Sequence, residues 1–183
     1  MQHTSTYIPD LHVVEHTPFQ DERGSFARFF CQRELVEILD ERQIVNVNFS
    51  HTAAKGAVRG MHYQTPPASE MKLVRCIRGA IFDVAVDIRK GSETFLQWHG
   101  EILTAENQKM LVLPEGFAHG FQTLTADCEI IYLVTAFYDA EKERSIHPED
   151  PRVGIQWQEP ISQLSEKDAR QPTLDENFCG IKL

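Results

Sequence analysis

The chain lacks the features that mark several common protein classes. Its 183 residues contain no His-x-His pair, no CxxC pair, no internal repeat and no low-complexity tract. No apolar run approaches the roughly 18 residues that a membrane-spanning helix needs. The opening Met1-Gln2-His3-Thr4-Ser5 lacks the basic-then-apolar pattern of a secretory signal, so the expected location is the cytoplasm. Cysteine is sparse and scattered, at Cys31, Cys76, Cys128 and Cys179. Neither a disulfide framework nor a cysteine-built zinc site is expected from that spacing, and at least two of the thiols fall inside apolar strands. Basic residues are outnumbered, 18 against 27 acidic, for a formal charge of -9. A field of that sign repels nucleic acid, and an anionic small molecule would need a local basic cluster. The length suits one domain with a sizeable apolar core.

Strand-like segments dominate what is present. Residues Lys72–Ile77, Ala80–Ile88, Met110–Pro114 and Glu129–Tyr138 are rich in Val, Ile, Leu and aromatics and are separated by turn residues. Only Gln32–Glu41 and the neighbourhood of Ser165–Arg170 have helical character. Many short strands and few helices predict a mainly β sandwich or barrel. Within Ala80–Ile88, alternation assigns Phe82, Val84, Val86 and Ile88 to one face, and Ile81, Asp83, Ala85 and Asp87 to the other. The two aspartates are expected to be solvent-facing or satisfied by a partner, with a site role kept open for Asp83.

The chemistry concentrates in four stretches. Arg59-Gly60-Met61-His62-Tyr63-Gln64 is followed by Lys72-Leu73-Val74-Arg75, with Lys72 ten residues after His62. Pro114-Glu115-Gly116-Phe117-Ala118-His119-Gly120-Phe121, the strand around Tyr132, and Leu164-Ser165-Glu166-Lys167-Asp168 complete the set. A lone histidine in a strand is ordinarily a packed or exposed residue. His62, however, stands near Arg59 and Lys72, cations that can hold an anionic substrate and stabilise a developing oxyanion, and a neutral imidazole takes up a proton near pH 7. A metal site competes, because Pro114-x-Gly116-x-x-His119 resembles the second motif of the cupins. Gln64, though, stands where the second histidine of a first-motif His-x-His would be. Tyr132 and Tyr138 have an even separation, so one extended strand would carry both on one face, roughly 20 Å apart. One could serve chemistry and the other stack on a base, or both could be interface tyrosines.

Taken together, these stretches resemble the dTDP-4-dehydrorhamnose 3,5-epimerase (RmlC-type) family. Phe19-x-Asp21-x-Arg23-Gly24-x-Phe26 and Phe82-Asp83-Val84-Ala85-Val86-Asp87-Ile88-Arg89 add two further markers, and the likeness runs from about Phe19 to Pro172. The resemblance implies a homodimeric, cupin-type jelly-roll β-barrel with a few short helices, needing no metal or organic cofactor. The barrel would span about residues 19–160, with a short helical segment over about 161–183 and an N-terminal strand exchanged between subunits. His62 is implied as proton acceptor, Tyr132 as proton donor, Asp168 as the partner of His62, and Lys72 as the group steadying an enolate. Arg23, Asn46, Asn48, Arg59, His119, Glu143 and Lys167 would contact substrate, Arg23 in the neighbouring subunit's site, and Tyr138 would stack on the nucleotide base.

The implied reaction inverts C3 and C5 of dTDP-4-dehydro-6-deoxy-D-glucose, on the route to dTDP-L-rhamnose and lipopolysaccharide. A 3- or 5-epimerase of a related sugar, a metal-dependent cupin enzyme and a non-catalytic sugar-binding barrel are the alternatives. Three positions depart from the family pattern. Arg28 stands for the usual Glu, Asn46-Val47-Asn48 for Gln-x-Asn with an extra residue in Thr52-Ala53-Ala54-Lys55, and Leu133 for the Lys that commonly follows the catalytic Tyr. The first two touch the substrate-binding region and leave the nucleotide base open.

Overall fold

A computed structural model describes residues 1–183. It is 41% strand and 4% helix. The elements in chain order are β1 (Gln2–Ser5), β2 (His12–Glu15), β3 (Phe19–Asp21), β4 (Gly24–Phe26), α1 (Val36–Leu39), β5 (Asn46–Thr52), β6 (Val58–Gln64) and β7 (Lys72–Arg78). They continue with β8 (Ala80–Asp87), β9 (Trp98–Thr104), β10 (Met110–Leu113), β11 (Phe117–Thr123), β12 (Cys128–Val134), β13 (Glu143–Ser145) and α2 (Glu166–Ala169). Both helices are single turns within the two stretches with helical character.

Two antiparallel sheets face one another, as in a jelly roll. One has the order β1-β2-β10-β7-β12-β5, the other β13-β6-β11-β8-β9. The hairpin β3–β4 stands apart from both. Alternation along each strand supplies three apolar layers. Val74, Cys76, Ile81, Ala85, Leu111 and Ile130 meet between the sheets. Residues of opposite parity on the five-stranded sheet, Phe82, Val84, Val86 and Ile88, pack outward under Ile146, Val153, Ile155 and the C-terminal Phe178 and Ile181. On the six-stranded sheet, Leu73, Val112 and Leu133 pack outward under Leu35, Ile38 and Leu39 around α1. Each sheet is therefore covered on both faces, which is why its strands read as nearly continuous apolar runs.

The inward row changes character along the barrel. Towards one end it is apolar, and Cys76 and Cys128 are free, buried thiols there; burial pushes the Cys76 thiol up to about 12. Towards the other end the same rows carry Lys72 on β7, Tyr132 on β12, Asn48 on β5, His62 on β6 and His119 on β11, around open space. Asp87, the last residue of β8, is fully buried. Its carboxylate accepts from the Arg89 backbone N–H (3.0 Å), Arg89 Nη2 (2.8 Å), Ser92 Oγ (2.6 Å) and Thr94 Oγ1 (2.7 Å). It is satisfied by partners, and its role is to close the turn after β8 onto the N-terminal loop through Arg89 and Asp10.

Candidate active site

Two adjoining cavities, of about 430 and 230 Å³, share His62, Lys72 and Tyr132. The geometry of β6 is what unites them. Arg59 and His62 are three residues apart, an odd step that in a regular strand would point them to opposite faces. The pairing with β11 shifts between His119 and Phe121, where His119 opposes His62 and Phe121 opposes Arg59. Gly60 sits in this bulge with φ +125°, and a Cβ there would lie 2.5 Å from Gly120 Cα and 2.7 Å from His119 O. The glycine-to-glycine approach lets β6 carry one extra residue, so Arg59 and His62 both line the larger cavity while Met61 turns into the outer core.

His62 is the best-placed base. Its side chain is 32% exposed, and Nε2 lies 2.7 Å from Asp168 Oδ1. Asp168 is only 3% exposed and sits in α2, whose N-cap Ser165 accepts the Asp168 backbone N–H at 3.0 Å. Burial pushes the Asp168 carboxyl up, but hydrogen bonds from His62, Ser165 and the Gly60 backbone, with the His62 charge, outweigh it and leave the group below its ordinary value. An ionised carboxylate only accepts, so His62 Nε2 carries the hydrogen and Nδ1 keeps the free lone pair of the neutral ring.

Lys72 lies 3.2 Å from Glu70, and both side chains are 12% exposed. Tyr132 is held above its ordinary phenol value by burial first and by Glu70 second, against Arg59. Arg59 Nε donates to Thr52 Oγ1 at 2.9 Å and Nη2 to the His51 carbonyl at 3.2 Å. His119 Nε2 lies 2.8 Å from the fully buried Asp83, whose second oxygen has no partner. Asp83 is thus the partner of a cavity histidine, on the face it shares with Ile81 and Ala85, which the structure turns inward. No group of three or more His, Cys, Asp or Glu residues comes together in a way that could hold a metal ion.

Asn46, Asn48, Tyr138 and Glu143 line the smaller cavity, and Lys167 the larger one. Lys167 Nζ lies 2.6 Å from Glu143 Oε2, and the Tyr138 hydroxyl donates to the same oxygen at 2.9 Å. Tyr138 differs from its expected position. The strand ends at Val134, and Tyr138 lies in the following loop rather than six steps along the same face as Tyr132. Its hydrogen bond to Glu143 and the bend after Val134 set its place, so no strand periodicity relates the two tyrosines. Arg23 lies outside both cavities, exposed at the β3–β4 turn and paired with Asp21 at 2.6 Å. Arg28 is likewise outside them and pairs with Glu34. Sequence reasoning missed Glu70, although it stands an even two residues before Lys72, on the same side of an extended chain.

The family model for dTDP-4-dehydrorhamnose 3,5-epimerase matches residues 5–176. The chain is 45% identical to the enzyme of that name from Salmonella typhimurium over 175 residues, 93% of this chain and 94% of the relative. Among solved structures it is similar to dTDP-6-deoxy-D-glucose-3,5-epimerase RmlC from Legionella pneumophila in complex with dTDP-4-keto-L-rhamnose. That similarity has a TM-score of 0.91 at 40% identity over 100% of this chain and 98% of the other. It is also similar to ChmJ, a 3'-monoepimerase from Streptomyces bikiniensis in complex with dTDP-quinovose, with a TM-score of 0.84 at 32% identity over 92% and 85% of the two chains.

Proposed function

The chain belongs to the dTDP-4-dehydrorhamnose 3,5-epimerase family, and from that premise we propose that it inverts C3 and C5 of dTDP-4-dehydro-6-deoxy-D-glucose with His62 as base and Tyr132 as acid. The observation that carries this reading is the His62–Asp168 dyad on a cavity it shares with Lys72 and Tyr132. A proton next to the 4-ketone is weakly acidic, and its removal leaves an enolate. His62 Nδ1 takes that proton, and the resulting imidazolium is stabilised by the ionised Asp168. Lys72 donates a charge-assisted hydrogen bond to the enolate oxygen. The Tyr132 phenol returns a proton to the opposite side of the carbon, which inverts it. The ketone acidifies both neighbouring carbons, so one base serves two centres when the sugar repositions. Arg59 and His119 meet the diphosphate and sugar in the larger cavity. Asn46, Asn48, Tyr138, Glu143 and Lys167 hold the remainder, with the Tyr138 ring against the base. All of this chemistry uses side chains alone, and the product feeds dTDP-L-rhamnose formation in the cytoplasm, for lipopolysaccharide.

Deuterium counting tests it. Substrate incubated with the protein in heavy water should acquire label at both C3 and C5 by NMR. Label at C3 alone would instead favour a monoepimerase, the reading that the likeness to ChmJ supports. His62→Ala and Tyr132→Phe should each lower kcat by about 10²–10⁴-fold, the usual worth of a positioned acid or base. Near-normal turnover in His62→Ala would overturn the mechanism.

The working unit in this reading is a homodimer that exchanges its N-terminal hairpin. An isolated two-stranded hairpin is marginal in water, and β3–β4 presents Phe19 (66% exposed) and Phe26 (73% exposed). The edge strand β5 presents Val47 and Phe49. Burying one set against the other would bring Arg23 to the partner's diphosphate. Mixing equal amounts of inactive Arg23→Ala and His62→Ala subunits should then restore up to about a quarter of the wild-type activity, because about half of the dimers are mixed and one of the two sites in each is intact. No recovery after subunit exchange would show that Arg23 acts in its own protomer.

A further inference from the structure

Each carboxylate around the two cavities is matched to a partner. Asp168 takes His62, Asp83 takes His119, and Glu143 takes Lys167 and Tyr138. Glu70 takes Lys72, 3.2 Å away. The first three steer groups that face an anionic ligand from the rim or the back wall. Glu70 is the unexpected member, because a carboxylate beside the one lysine of the smaller cavity opposes the negative charge that an enolate would bring.

Its place is well determined. Glu70 lies in the loop between β6 and β7, and that loop is tied on both sides of it. Gln64 Nε2 donates to the Ala68 carbonyl at 3.1 Å, Ser69 Oγ to the Gln64 carbonyl at 3.4 Å, and the Met71 N–H to Thr135 Oγ1 at 2.9 Å. A side chain held by such a loop and only 12% exposed is not a solvated bystander. The smaller cavity also contains Tyr132 and His62, so Glu70 shares walls with both groups that would move protons.

Resting on the reading of Lys72 and Tyr132 given above, we propose that Glu70 is a positioning residue for the epimerisation, its carboxylate pinning the Lys72 ammonium and setting the charge that Tyr132 faces. The Lys72 side chain is only 12% exposed, and without a counter-ion its ammonium would swing towards solvent. Glu70 prevents this and holds the ammonium where the enolate oxygen forms. The second effect falls on the acid. The charged groups turned towards Tyr132 are Arg59 from β6, Lys72 from β7, Lys167 and Asp168 from α2, and Glu143 from β13, with the titratable His62, His119 and Tyr138 beside them. Asp168 and Glu143 are engaged by their own partners. Glu70 is the carboxylate whose charge raises the Tyr132 phenol, and Arg59 the cation that lowers it. Burial first, and the Glu70 charge second, hold the phenol above its ordinary value against Arg59, as suits a proton donor.

Glu70→Gln keeps the shape and removes the charge, and Glu70→Ala repeats the measurement without the carboxamide. The Tyr132 titration is followed by NMR of ¹³C-tyrosine-labelled protein, its signal among the four tyrosines assigned by Tyr132→Phe. In both Glu70 variants the midpoint should fall, and the alkaline limb of kcat should move with it. At neutral pH kcat should drop about tenfold with KM changed much less, as expected when an interaction made in the transition state is lost. A midpoint that stays in place overturns the role of Glu70 alone. A midpoint that falls while kcat and its pH profile do not change overturns Tyr132 as the proton donor, and the proposal falls with it.

Discussion

Replacing Gly60 by alanine tests the geometry on which the site depends. Gly60 has φ +125°, a region costing an L-residue about 1–3 kcal/mol. The added Cβ would also lie 2.5 Å from Gly120 Cα and 2.7 Å from His119 O. Both are backbone atoms, so no rotamer change relieves the contact. β11 cannot simply move aside, because it is registered against β8 along its whole length, from Phe117 opposite Asp87 to Thr123 opposite Ile81. Forced overpacking of this kind adds about 1–3 kcal/mol. The sum is about 2–6 kcal/mol, which for a domain of this size lowers Tm by roughly 5–20 °C. Gly91→Ala is the internal control. Gly91 has φ +82° in an open turn with nothing within 4 Å of its would-be Cβ. It should lose only the left-handed penalty, about 1–2 kcal/mol, or roughly 2–6 °C. Thermal melts of the two variants with the wild type measure the difference. Turnover of Gly60→Ala below its Tm should also fall by about 10²-fold, because an ångström of displacement at His62 or Arg59 spoils alignment. A Gly60→Ala protein that melts no lower than Gly91→Ala and turns over normally would refute the claim that close glycine packing aims both side chains into one cavity.

Asp168→Asn should separate catalysis from folding. Losing the charge-assisted bond to His62 removes about 1.5–3 kcal/mol of imidazolium stabilisation, or roughly 10–150-fold in kcat/KM, while melting changes little; a variant within threefold of wild type would contradict the dyad's role. Asp87→Asn should do the reverse, lowering stability by about 1–3 kcal/mol through the weakened charge-assisted bonds from Arg89, Ser92 and Thr94, while Arg89 keeps Asp10 and the cavity is untouched. Burial pushes the Asp87 carboxyl up, but Arg89, Ser92 and Thr94 outweigh it, so the folded value lies below the unfolded one. Its stabilisation is therefore complete above the unfolded carboxylate range and fades as pH falls through the folded value. Denaturant melts should show the gap between wild type and Asp87→Asn narrowing in acid; a gap that widens would reverse the sign. Turnover after exhaustive chelation and dialysis should equal that of untreated enzyme, and loss restored by one particular metal would point to a metal-dependent cupin reaction.

Much of this protein is legible along the chain. Alternation in Ala80–Ile88 assigned both faces of a strand correctly, because side-chain direction with period two is a local property of extended backbone. Scarcity of helical periodicity predicted a mainly β fold, and ordered short motifs identified the family. Those motifs also named many of the side chains that line the cavities, since residue type limits which groups can bind anions or carry protons, but they left out Glu70 and included Arg23, which lies outside them.

Other features were decided only by tertiary contact. Arg59 and His62, an odd three residues apart, reach one cavity because Gly60 meets Gly120 across sixty residues of chain, a contact no window of β6 contains. Tyr138 leaves the row of Tyr132 because the strand stops at Val134, where β5 and β7 stop pairing with it. Asp83 acquires its partner His119 from β11, an element that alternation within β8 cannot place. His62 itself shows both sides: its chemistry was available from residue type and neighbours, while the nitrogen left free to act was settled by Asp168, 106 positions away and 2.7 Å distant. Sequence specifies which groups a strand offers and on which side. The packing of one strand against another decides which of them can act together.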